Sequence, residues 1–110
     1  SKASRDYQAA ITGHTGQAWV QNGVKFDGYS NGILIETKAK YSQFVDSSGT
    51  FRSWFKDADG FVDQARRQLA AANGAPITWY FKEKAARDAT EILFRQNGIT
   101  GIKLVYSPGN

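Results

Sequence analysis

The sequence predicts a mixed α/β domain in the order helix, three strands, helix, strand, helix, strand (α-β-β-β-α-β-α-β), with helices flanking a mixed sheet. Three observations carry this expectation. Asn22-Gly23 and Asn31-Gly32 each lie between runs rich in β-branched and aromatic residues, and Asn-Gly suits the tight hairpin turn whose two central residues both take positive φ. Two later segments space apolar residues at helical intervals, and each is closed by a further Asn-Gly pair, Asn73-Gly74 and Asn97-Gly98. A short apolar stretch follows each, at Ile77 to Phe81 and at Ile102 to Tyr106.

Taken in order, Asp6 to Ile11 predicts a short helix, stopped by Gly13 and Gly16. The Asn-Gly turns predict a three-stranded meander over about 17–21, 24–30 and 33–39. Lys40 to Thr50 is polar and loop-like, with a mobile centre expected at Ser47-Ser48-Gly49. A helix from Asp57 to Ala72 places Ala58, Phe61, Val62, Ala65, Leu69 and Ala72 on one face, and Pro76 prevents its resumption. Alternation in Ile77 to Phe81 puts Ile77, Trp79 and Phe81 on one side, with Trp79 in the core. The helix from Lys84 to Gln96 is read with Ala85, Ala89, Ile92, Leu93 and Gln96 along its apolar stripe, before the last strand.

At 110 residues the chain is long enough for one domain, spanning 1–110, with a core that needs no covalent staples. It has no cysteine, which excludes disulfides, thiolate metal sites and cysteine nucleophiles. No apolar run reaches the ~18 residues of a transmembrane helix, and no signal-peptide pattern opens the chain. No membrane partner and no small-molecule cofactor is expected. The polar, helix-like opening from Ser1 to Asp6 reads as that of a domain cut from something longer. A formal net charge of +4 favours a polyanionic partner.

The hairpin turns place the chemistry. If Asn31-Gly32 is a two-residue loop, Ser30 faces Ile33, and Asp27 lies across from Glu36 with Lys38 two residues further along the same face. Val24, Phe26, Ile33 and Ile35 collect on the other face, joined by Trp19 if Asn22-Gly23 turns likewise. The expectation is a core face and a functional face, the latter carrying Asp27, Glu36 and Lys38 beside Leu34. Directly opposed carboxylates repel, and Lys25 opposite Lys38 adds a second like-charge pair, so pairing energetics alone give no reason for this face. Two acids can instead share a hard divalent cation, Mg²⁺ or Mn²⁺. Such an ion neutralises charge and acidifies water in phosphodiester hydrolysis, while a lysine stabilises the charge developing on phosphorus.

Asp27 followed by Glu36-Thr37-Lys38 in a strand after a tight turn resembles the PD-(D/E)xK motif of restriction-endonuclease-fold nucleases. Phe26-Asp27-Gly28-Tyr29, Leu34-Ile35-Glu36-Thr37-Lys38-Ala39-Lys40-Tyr41 and Asp63-Gln64-Ala65-Arg66-Arg67-Gln68 are similar to the restriction-endonuclease-fold toxins of bacterial polymorphic systems. Such toxins form the C-terminal ends of some type VI secretion effectors. The resemblance extends from about Tyr7 to Tyr106 and implies a restriction-endonuclease-like core. It implies Asp27 and Glu36 as metal ligands, Lys38 as the catalytic lysine, and Gln64 as a glutamine that reaches the site from its helix. Phe26 stands where the motif has proline. A further acid on the first helix is frequent in the superfamily, and Asp6 and Gln8 are both candidates. The resemblance also implies a DNA substrate, a cognate immunity protein, and delivery by secretion into a target cell's cytoplasm. In the producer cytoplasm the immunity protein would hold the toxin.

Other residues have plainer readings beside functional ones. Gln68 flanks the apolar stripe one turn from Gln64. His14, the only histidine, lies among Gly13, Thr15 and Gly16 in a loop. Tyr7 and Tyr41 are packing or substrate residues. Trp54 and Phe55 belong to the core or face a partner. Arg66, Arg67, Lys82, Lys84 and Arg87 are solvated surface or backbone-phosphate contacts. Two rival functions remain: a repair or restriction nuclease of the same fold, and a non-catalytic module that binds nucleic acid or protein.

Overall fold

The computed structural model describes residues 1–14 and 16–109. Helix α1 (Lys2–Thr12) starts earlier than the sequence suggests, because the Ser1 hydroxyl accepts from the Ser4 amide and caps its first turn. Gly13, at φ 85°, closes it in the left-handed conformation. Strands β1 (Trp19–Gln21) and β2 (Val24–Phe26) form one hairpin. Strands β3 (Gly28–Ser30) and β4 (Ile33–Lys38) form the next. Both Asn-Gly turns have positive φ at both residues: 47° and 82° at Asn22 and Gly23, 52° and 81° at Asn31 and Gly32.

The predicted middle strand is therefore two strands, broken at Asp27. The β1–β2 hairpin is a separate two-stranded sheet, while β3 begins a four-stranded sheet. Gly28 explains part of the break: a Cβ there would come within 2.8 Å of the Thr12 Cγ2, so α1 closes onto the chain only where the side chain is missing. The Thr12 hydroxyl is itself tied to the Gln8 and His14 carbonyls, so the methyl has little room to retreat.

After a short 3₁₀ turn at Ser42–Phe44 come α2 (Asp57–Ala72), β5 (Ile77–Phe81), α3 (Lys84–Gln96) and β6 (Ile102–Tyr106), each with the bounds expected from sequence. The sheet order is β3-β4-β5-β6, with β3 antiparallel to β4 and the remaining pairs parallel. The loop before α2 is tied down rather than loose. Asp46 Oδ1 accepts from the amides and hydroxyls of both Ser48 and Thr50, and these bonds hold its carboxyl down at about 2.

Both sheet faces are covered, and this overturns the expected division into one core face and a separate functional face. The face bearing Leu34, Glu36 and Lys38 is the main core face. Leu34, Trp79 and Phe81 pack there with Phe61, Val62 and Ala65 of α2 and Phe94 of α3. Phe26 joins this same cluster, not Ile33 and Ile35, because the break at Asp27 resets the alternation. Buried Ile35 lies on the other face, where Tyr7 of α1 sends its hydroxyl to the Ser107 carbonyl at 2.6 Å. Helix α3 is rotated from its expected stripe. Ala85 and Gln96 are exposed, while Ala86, Ala89, Thr90 and Phe94 are buried, with the Phe94 ring edge-on to Trp79 at 5.2 Å.

Candidate active site

The β3–β4 register is the one the Asn31-Gly32 turn predicts, with Gly28 opposite Ile35 and Ser30 opposite Ile33. The ladder ends at Gly28, one residue short of an Asp27–Glu36 pair. Asp27 instead turns its carboxylate to Thr37, whose amide and hydroxyl both donate to Oδ2 at 2.8 Å. Oδ1 accepts no hydrogen bond among the described residues. The expected Lys25–Lys38 pair is also absent, because Lys25 sits exposed on the separate hairpin while Lys38 is buried under α2.

Glu36 is held on the inner face at 6% exposure. Two glutamines of α2 bracket it: Gln68 Nε2 donates to Oε1 at 3.1 Å and Gln64 Nε2 to Oε2 at 3.0 Å. Lys38, at 8% exposure, brings its Nζ to 3.2 Å from Oε2 and donates to Gln64 Oε1 at 2.6 Å. The amide orientations follow from chemistry. The Trp79 indole N–H donates to Gln68 at 2.8 Å and Lys38 has only donors, so each glutamine must offer its oxygen there and its nitrogen to Glu36. The ammonium also lies 4.6 Å from the Phe61 ring centre and 4.9 Å from that of Trp79, which helps a buried cation.

Burial raises the Glu36 carboxyl above its ordinary range and the charge of Asp27 adds to this, while Lys38 opposes it. Tyr41, half-buried and edge-on to Phe61, is raised first by burial and then by the charges of Asp57, Glu36 and Asp27.

Of the two first-helix candidates, Gln8 reaches the site's main chain, donating to the Asp27 carbonyl at 3.2 Å. Asp6 is instead paired with Lys2 at 2.7 Å on the helix surface. His14 is partly buried, and its Nδ1 has no partner among the described residues. Thr15, named with it, lies outside them. Tyr7 packs under the sheet and Phe55 is core, while Trp54 is exposed against Phe44. Lys84 and Arg87 pair with acids of their own helix, and Arg66 donates to the Asn97 carbonyl.

Thr37 escaped the sequence reading because strand alternation points it away from Glu36. Gln68 carried a usable signal: a glutamine flanking the stripe of Phe61, Ala65 and Ala72 must find a partner if the helix buries it.

The donor set suits a hard cation. It is all oxygen, with Asp27 anchored through one carboxylate oxygen and unbonded at the other. Among the described residues no group of three or more histidine, cysteine or acidic side chains forms a larger metal cluster. Such an ion would take its further ligands from water and substrate.

A mixed sheet flanked by helices, carrying an Asp…Glu-x-Lys constellation on β4 and at the head of β3, defines a restriction-endonuclease-like domain. The sequence matches the restriction endonuclease fold toxin 5 family over residues 4–84, and the chain belongs to that family. This makes it a toxin of the nuclease type. The matched segment contains all the site residues above and ends at the first residue of α3. No curated protein matches the chain.

Proposed function

We propose that this domain is a metal-dependent DNA endonuclease used as an antibacterial toxin. The observation that carries the reading is the hydrogen-bonded cluster of Glu36, Lys38 and Gln64, with Asp27 tied to Thr37 between the two β4 residues, in a chain of a nuclease-toxin family. Asp27 and Glu36 would hold Mg²⁺ or Mn²⁺, which when bound supplies charge neutralisation at the phosphate and a more acidic water. Lys38 stabilises the negative charge that develops on phosphorus. Gln64 bridges the lysine and the glutamate, so one side chain sets the spacing of both. The neighbouring aromatic rings keep bulk water from Lys38 and so strengthen its field at the scissile group. The chain's formal charge of +4 favours a nucleic-acid substrate.

A nuclease active in its producer demands restraint, and a cognate immunity protein supplies it in the producer cytoplasm. Delivery by secretion, as for type VI effectors, would bring the domain to the target-cell cytoplasm. Purified domain incubated with supercoiled plasmid should nick it in Mg²⁺ but not in EDTA, and the Asp27→Ala variant should not nick it at all. Folded wild-type protein that cleaves neither DNA nor RNA under any divalent ion would refute the reading.

A further inference from the structure

We infer that Trp19 and Tyr29 form a stacking platform for an unpaired nucleobase beside Asp27, so that the domain prefers substrates with single-stranded character. The inference rests on the nuclease reading for its purpose but on separate residues for its evidence. Trp19 lies opposite Phe26, the residue before Asp27, and Tyr29 lies two residues after Asp27, about 7 Å along a strand. The two rings come from different sheets and stack across the break, with centroids 4.4 Å apart and planes 15° from parallel.

Both rings remain open to solvent, at 41% and 43% exposure. A lone exposed aromatic is ordinary, but two held parallel at the sheet edge present a flat, ordered π surface. The indole is also fixed in its plane by its N–H, which donates to Gln21 Oε1 at 3.2 Å. A nucleobase can extend this stack. Inside a duplex, however, each base already has both faces covered by its neighbours, so only an unpaired or flipped base offers a free face. The positive net charge suits the accompanying backbone. A base seated here places its own phosphate next to the acid that heads β3.

The test compares binding of short single-stranded DNA, single-stranded RNA and blunt duplex DNA in EDTA, where no cleavage occurs, followed by Mg²⁺-dependent cleavage of the same molecules. Trp19→Ala and Tyr29→Ala should each weaken single-strand binding on the order of tenfold and leave duplex binding unchanged. Trp19→Phe should keep most of the affinity, and Val20→Ala, which removes exposed apolar surface without a ring, should change nothing. Loss with DNA, with RNA or with both supports the platform and identifies its nucleic acid. If Trp19→Ala and Trp19→Phe weaken single strands and duplex equally, the stack serves only to hold the turn at Asp27, and the inference falls. If neither ring variant alters any nucleic-acid binding, the surface faces a protein instead, and it also falls. Ring-dependent binding without cleavage of any substrate would overturn the nuclease reading and leave the platform standing. Cleavage indifferent to both rings would do the reverse.

Discussion

The two acids of the site are held in opposite ways. Asp27 stands at a break between two sheets, half-buried, fixed by the amide and hydroxyl of the adjacent strand's Thr37. Glu36 is deep under α2, and its side-chain partners, Gln64 and Gln68, come from a helix about 30 residues along the chain. One acid is positioned by hairpin geometry, the other by helix docking. Ligand strength and structural cost should therefore separate between two residues that share one proposed task.

The largest effects test that separation. Asp27→Ala and Glu36→Ala should both abolish cleavage, but they should differ in stability. Removing Glu36 leaves the Gln64 and Gln68 amides and the Lys38 ammonium without the buried acceptor they share, at a cost of about 3–5 kcal/mol. Removing Asp27 forfeits bonds to one threonine, at about 1–3 kcal/mol. Urea unfolding of both variants reads the gap, and equal losses would erase the distinction. Next, Gln68→Leu should leave the Trp79 N–H and Glu36 Oε1 each one partner short, destabilising by about 1–3 kcal/mol. It should also weaken divalent-ion binding by about tenfold in calorimetry, through a looser Glu36. On the Asp27 side, Thr37→Val keeps the backbone donor and loses only the hydroxyl, so a smaller cost of about 0.5–1.5 kcal/mol is expected.

The smallest effect is in the pH profile. Because burial raises the Glu36 carboxyl, the folded chain holds that proton more tightly than the unfolded one. The group's contribution is fully present below its ordinary value of 4.5 and is lost as pH rises through the raised one. Thermal melts of wild type against Glu36→Gln should show wild type losing ground across that interval. Parallel melts would show the Glu36 assignment to be wrong.

Much of this was legible in the sequence. The Asn-Gly turns fixed the β3–β4 register, since positive φ at two consecutive residues leaves few other hairpins. The bounds of α2, β5, α3 and β6 followed from apolar spacing and their flanking breakers. The break at Asp27 was not legible, because alternation continues in composition through 24–30 while the backbone does not. Only Gly28 hinted at it, and its reason is the approach of α1, a contact distant in sequence. The face assignment failed for a related reason. Alternation sets the charged residues on a face apart from the core, whereas Glu36 and Lys38 lie within it and satisfy one another through glutamines that only tertiary packing brings near. The phase of α3 slipped because alanines sit on both sides of its stripe, and the large Phe94 decides which side turns inward.

The parallel pairing of β4 with β5 has a consequence for how the domain comes into being. Parallel neighbours need a crossover, and here it runs from Ala39 to Pro76 and contains all of α2. The β3–β4 hairpin needs only its own turn, so the Asp27–Thr37 contact can form on a local, microsecond scale. The Glu36–Gln68 contact must wait for closure of a far longer loop, whose entropy delays folding. A chain emerging unfolded would thus carry Glu36 and Lys38 on its early hairpin but gain their glutamine partners only when α2 docks, passing through an interval in which the hairpin exists and the buried cluster does not.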